Sequence, residues 1–189
     1  MKDIKPAILL LTLFTVICGG LYPAVVTGLA QTFFPEQAHG SFIKDQTGRV
    51  AGSELIGQPF STPEYFWPRP SATGEFAYNP LASSGSNAGP TNPAYLKTVG
   101  ERLHVLREAG LSAPLAADLA QASASGLDPH ISPAAAQAQI PRIARARGLN
   151  EEVVATAVTS RIEGKQLGFL GAERVNVLAL NLQLDTMSP

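Results

Sequence analysis

PAILLLTLFTVICGGLYPAVVTGLAQTFFP, residues 6–35, carries no charged side chain and is closed by Lys5 on one side and Glu36 on the other. A helix from Ala7 to Phe33 has 27 residues and runs roughly 40 Å, against a hydrocarbon core of about 30 Å. It can span a membrane with slack for tilt. Gly19, Gly20 and Pro23 predict an irregularity, because Pro23 removes a backbone donor and is expected to kink the helix. Small residues let helices approach closely, so Gly19, Gly20, Pro23 and Gly28 mark the expected packing site for a partner helix. The alternative is a kink that faces lipid.

Two processing schemes compete with an uncleaved anchor. A secretory signal has an apolar core of about 7–15 residues before a small-x-small site. Cleavage after Gly28-Leu29-Ala30 would release a secreted binding domain, but the run before that site is too long. Ile17 is bulky where a lipoprotein site ahead of Cys18 takes a small residue. The flanks set the orientation expected of an anchor. Lys2, Lys5 and the α-amino group precede it, whereas the other side offers no lysine or arginine until Lys44. The lysine bias places the N-terminus in the cytoplasm and the rest beyond the membrane, in the periplasm of a bacterium.

The chain has 189 residues, room for one ordinary domain after the anchor. We therefore divide it into residues 1–35, N-terminus and span, and residues 36–189, a soluble domain. Lys and Arg number 14 against 15 Asp and Glu, a balance that argues against nucleic acid as a partner. The single cysteine, Cys18, excludes an intramolecular disulfide and a cysteine-based zinc cluster.

The soluble part reads as α+β, with short strands first and helices later. Residues 41–44 and 49–51 flank the polar turn Asp45-Gln46-Thr47-Gly48, the pattern of a hairpin. A proline-rich stretch from Gly57 to Pro93 follows, punctuated by Phe60, Tyr65, Phe66, Trp67, Phe76 and Tyr78. Its rings predict an ordered loop rather than a tail. Asn92-Pro93 opens a helix with Leu96, Val99, Leu103 and Leu106 at helical spacing. Ser112 or Ala113 before Pro114 predicts a shorter one through Gln121. Ser132-Pro133 starts another, which Pro141 should split or kink before the stop at Gly148. Asn150 caps a further helix with Val153, Val154 and Val158 inward. Residues 175–185 fit both alternation and i,i+4 spacing, and we read them as a helix.

Chemistry is sparse. Ser125, Asp128 and His130 suggest an anchored periplasmic hydrolase. The plainer reading is a turn ahead of the Ser132 cap, since no G-x-S-x-G elbow occurs. His39, His104 and His130 are too scattered for a metal site. No Walker loop is present. Arg142, Arg145 and Arg147 suit a phosphate grip, or a solvated helix end. No residue is assigned a catalytic or metal-binding role.

Seven blocks nevertheless carry a family likeness: GGLYP (19–23), FPEQAHGS (34–41), GSELIGQPF (52–60), YFWPRPSA (65–72), YNPLASSGSN (78–87), residues 122–149 and VNVLALNLQLD (175–185). The chain resembles, end to end, the C subunit of the bacterial Kdp-type potassium-transporting ATPase. The resemblance implies a non-catalytic inner-membrane subunit assembled with a channel-like A subunit, a P-type B subunit and, where present, a small F subunit. It further implies a catalytic chaperone that raises the ATP affinity of the B subunit. Residues 122–139 look like a variant of the signature loop of ABC transporters, which would make Gln139 the nucleotide contact and Ser123, Ser125 and Gly126 its loop. On that view ATP binds only in complex with the B subunit. The lysine flank points elsewhere, because ATP is cytoplasmic. It favours a domain over the outer mouth of the A subunit, acting on nucleotide through the anchor and its partners.

Overall fold

Residues 3–112 and 114–187 of the computed structural model are described below. Lys2, part of the orientation argument, and Ala113, one of two expected helix starters, lie outside them. The chain divides into two compact units, one ending at Phe42 and one beginning at Ile43.

In the first unit, α1 (Ile4–Val16) passes through a π-helical turn (Ile17–Leu21) into α2 (Tyr22–Phe33). The 30 residues form one helix long and apolar enough to cross a membrane. The irregularity expected at Gly19, Gly20 and Pro23 takes the form of a wider turn that holds both glycines just before the proline, where the Tyr22 N–H reaches back to the Ile17 carbonyl. Pro23 cannot serve the Gly19 carbonyl, and an extra residue in the turn makes room for its ring. Two of the threonine hydroxyls in the rod turn back on its own backbone, Thr15 donating to Leu11 O and Thr32 to Gly28 O, each at 2.7 Å. No side chain of α1 or α2 is buried. A short helix, α3 (Pro35–Ala38), follows.

The expected hairpin is present, β1 (Phe42–Lys44), which begins on the last residue of the first unit, paired with β2 (Val50–Ser53). Asp45 builds the turn: its carboxylate accepts from Thr47 N, Thr47 Oγ1 and Arg49 N. From Gly57 to Thr91 the described chain forms no helix or strand, yet Phe66 is fully buried and Tyr78 nearly so. Phe76 is the exception among the rings, pointing outward.

Helix α4 (Pro93–Glu108) has its Asn92 cap, which accepts from Ala94 N and Tyr95 N. Only Leu106 of its apolar row is buried, and Leu96 is exposed. The helix expected from Ser112 through Gln121 shrinks to one 3-10 turn, Ala117–Leu119. Asp118 explains the difference. It turns away to accept from Ser132 N and Oγ, extending the cap of the next helix.

That helix, α5 (Pro133–Arg147), runs unbroken through Pro141 and stops at Gly148 in the left-handed region. Pro141 leaves the Gln137 carbonyl without its intrahelical donor, but both residues are exposed, so water can take it. In α6 (Glu151–Ser160), Val154, Ala157 and Val158 face inward and Val153 faces out, correcting the expected trio. Spacing of three and four selects 154, 157 and 158; position 153 falls off that stripe.

Residues 175–185 take both forms. Strand β5 (Arg174–Asn176) turns directly into α7 (Val177–Leu184), with Asn176 as cap. β5 is central in a small antiparallel sheet, ordered β3 (His130–Ile131), β5, β4 (Ile162–Glu163). The core is built from Phe66, Ile131, Ile143, Val154, Val158, Val175, Leu180 and Leu184. The architecture is α+β: one apolar N-terminal helix, then a mixed domain.

Candidate functional site

The most elaborate polar construction in the second unit grips residues 62–67 of the proline-rich loop. Gln139 of α5 is fully buried. Its Oε1 accepts from Trp67 N at 2.8 Å, and its Nε2 donates to Trp67 O at 3.1 Å and to Ala135 O at 3.2 Å. One residue back, Asn181 of α7 repeats the device, accepting from Phe66 N at 2.8 Å and donating to Phe66 O at 3.1 Å. Two side-chain amides thus act as partners for a loop backbone that has no strand beside it, which is what a buried backbone requires.

Arg142 completes the grip. Its guanidinium donates to Pro63 O at 2.7 Å, Tyr65 O at 2.9 Å and Gln139 Oε1 at 2.6 Å, and it lies 4.2 Å from the centre of the Trp67 ring. Burial pushes Arg142 down to about 10, with the charge of Glu64 acting the other way. At neutral pH it stays charged. Arg147 donates to Glu64 O, Leu184 O and Asp185, and covers the Tyr65 ring. Arg142 is therefore no solvated helix end, whereas Arg145 is exposed. Fork geometry lets a single arginine collect several carbonyls.

The residues of the expected signature loop stand apart from Gln139. Ser123 is buried, and its N–H donates to Pro70 O at 3.3 Å. Ser125 O accepts from Ser83 Oγ, and Gly126 O from Ser71 Oγ. Gly126 is left-handed, and a Cβ there would press on Ser84 O and Thr73. These three stitch the 122–127 loop to residues 70–84. Among the described residues, no hydrogen bond joins them to Gln139.

Of the hydrolase candidates, Asp128 and His130 meet and Ser125 does not join them. Ser125 Oγ accepts from Leu127 N, as a turn residue does. Asp128 takes the His130 N–H at 3.0 Å and pairs with Arg69 at 3.0 Å. Burial raises the Asp128 carboxyl, but His130 and Arg69 more than offset it, so its pKa is lowered. Tyr78 donates to Arg69 O nearby, and burial raises its phenol. A nucleophile bonded to a base, the minimum for acyl transfer, is not assembled from this trio.

Sequence reasoning missed Asn181, Asn176, Asp118 and Arg69. Asn181 had a visible signal: a lone amide among the leucines of 178–184 must find a partner if that helix is buried. The same holds for Gln139 with Arg142, three residues apart on the apolar side of α5.

A family model described as "K+-transporting ATPase, c chain" matches residues 4–186. Along the full length of both chains, the protein is 66% identical to the potassium-transporting ATPase KdpC subunit of Geobacter sulfurreducens. It is 62% identical to that of Geobacter metallireducens, again over the whole of each chain. Against the Methylococcus capsulatus KdpC subunit it is 57% identical, over 99% of each. The chain belongs to the KdpC family of potassium-transporting ATPase subunits.

Proposed function

We propose that the chain is a non-catalytic accessory subunit of a potassium-transporting P-type ATPase, held in the inner membrane by Ile4–Phe33. The N-terminus lies in the cytoplasm and the domain from Ile43 onward in the periplasm. It assembles with the channel-like A subunit, the P-type B subunit and, where present, the small F subunit. It raises the ATP affinity of the B subunit without itself holding nucleotide. The observation that carries this reading is the apolar helix with no buried side chain, which needs lipid and partner helices to cover it. Gly19 and Gly20 fall in the π-helical turn, where an added Cβ meets nothing within 4 Å of the chain itself. Space for a close helix contact is thus present.

Gln139 serves this function as a positioning residue. Its bonds go to Trp67, Ala135 and Arg142, so a nucleotide would have to break the grip on residues 62–67 to reach it. The test is gentle solubilisation of membranes followed by capture on a C-terminal tag. A P-type ATPase subunit should co-purify, and Gly20→Leu should reduce its yield severalfold. Capture of the chain alone contradicts the proposal.

A further inference from the structure

His130 lies where three segments meet. In the small sheet His130 pairs with Asn176 and Glu163 with Arg174. Alternate residues share a face, so these four side chains stand on the same side of β3, β5 and β4. His130 Nδ1 is 3.4 Å from Asp128 Oδ1, and Nε2 is 3.9 Å from Glu163 Oε1. Each carboxylate has its own cation: Arg69 holds Asp128 at 3.0 Å, and Arg174 holds Glu163 at 2.8 Å. Asp118 and Glu173 line the adjoining groove, of about 600 Å³, and Asp118 is committed to Ser132.

A neutral imidazole has one N–H and can donate to one of the two carboxylates; an imidazolium donates to both. Histidine is the side chain whose ordinary titration falls between pH 5 and 8. We propose that His130 is a proton-operated tie: when protonated, it links the Asp128 turn to Glu163 and steadies the β4–β5 hairpin that Glu163 launches. That hairpin is the part of the sheet with something to present. It closes through mutual Gln166–Leu170 backbone bonds, and its tip exposes Leu167 and Phe169 to solvent. Leu167 is also held left-handed. A tie at its base alters how firmly the apolar tip is held out. The inference is independent of which subunit the domain meets.

Hydrogen exchange of the full-length protein in bilayer nanodiscs tests it, with rates corrected for intrinsic pH dependence. Amides of residues 162–175 should exchange about two- to fivefold more slowly at pH 5.5 than at pH 7.5, the scale of a partly exposed ion pair. Amides of 154–158 in α6 serve as the reference and should change less. His130→Gln should abolish the difference, and His104→Gln, on exposed α4, should keep it. Absence of slowing in the wild type, or an undiminished effect in His130→Gln, overturns the proposal. Should His130→Gln fail to fold, Glu163→Gln takes its place: loss of the pH effect supports the tie, and persistence overturns it.

Discussion

Gln139 and Trp67 are joined reciprocally, the side-chain amide of one accepting from the N–H and donating to the C=O of the other, at 2.8 and 3.1 Å. The pairing replaces a strand neighbour for a loop that has none, and Asn181 does the same for Phe66. The domain's proline-rich stretch is thereby fastened to α5 and α7 at the backbone, not only by its rings.

Gln139→Leu keeps the volume and removes the bonds. Trp67 is left with an unmet N–H and C=O, and Arg142 loses an acceptor. Leaving such groups unsatisfied costs about 1–3 kcal/mol each, partly relieved by relaxation. Urea unfolding of the full chain in detergent should show a loss of about 2–4 kcal/mol. Arg142→Lys should destabilise in the same direction, since an ammonium cannot collect three acceptors in one plane.

Two glycines should respond to alanine with opposite signs. At Gly57 a Cβ would come 2.4 Å from the Tyr78 ring and 2.7 Å from Asp128 O. Overpacking of that kind costs about 1–3 kcal/mol. Gly100, inside α4, meets nothing within 4 Å, and alanine there should stabilise by about 0.5–1 kcal/mol. Thermal melts of Gly57→Ala and Gly100→Ala check the pair.

Acid should loosen the Asp128 junction. Its carboxyl is lowered in the folded chain, with burial opposed and outweighed by His130 and Arg69. Its stabilisation is therefore complete above the unfolded value of about 3.9 and is lost as pH falls through the lower folded value. Asp128→Asn should show a weaker decline in urea midpoint below pH 4 than the wild type. Equal declines would remove Asp128 from the account.

Most of the fold was legible where a signal is local. The Asp45 turn, the caps at Asn92, Ser132 and Asn150, and the stop at Gly148 all rest on short-range hydrogen bonding or backbone conformation. Long-range competition decided the rest. Asp118 left its own segment to cap α5, so the helix before Gln121 did not form. Residues 175–185 satisfied two periods because β5 and α7 abut at Asn176. Arg142 looked like a solvated helix end because its acceptors lie nearly eighty positions away, at Pro63 and Tyr65. In the candidate site, Gln139 was legible as a residue of consequence through family likeness, but its partner was not.

In the proposed topology a lipid-spanning helix carries the domain to the far side of the membrane. Gly89 is exposed with open space around it, and Cys18 is the chain's only cysteine. A Cys18→Ser, Gly89→Cys variant therefore offers one thiol in the domain. In intact cells a membrane-impermeant maleimide should label it as fully as in broken cells. Labelling only after disruption would place the domain in the cytoplasm and contradict the account.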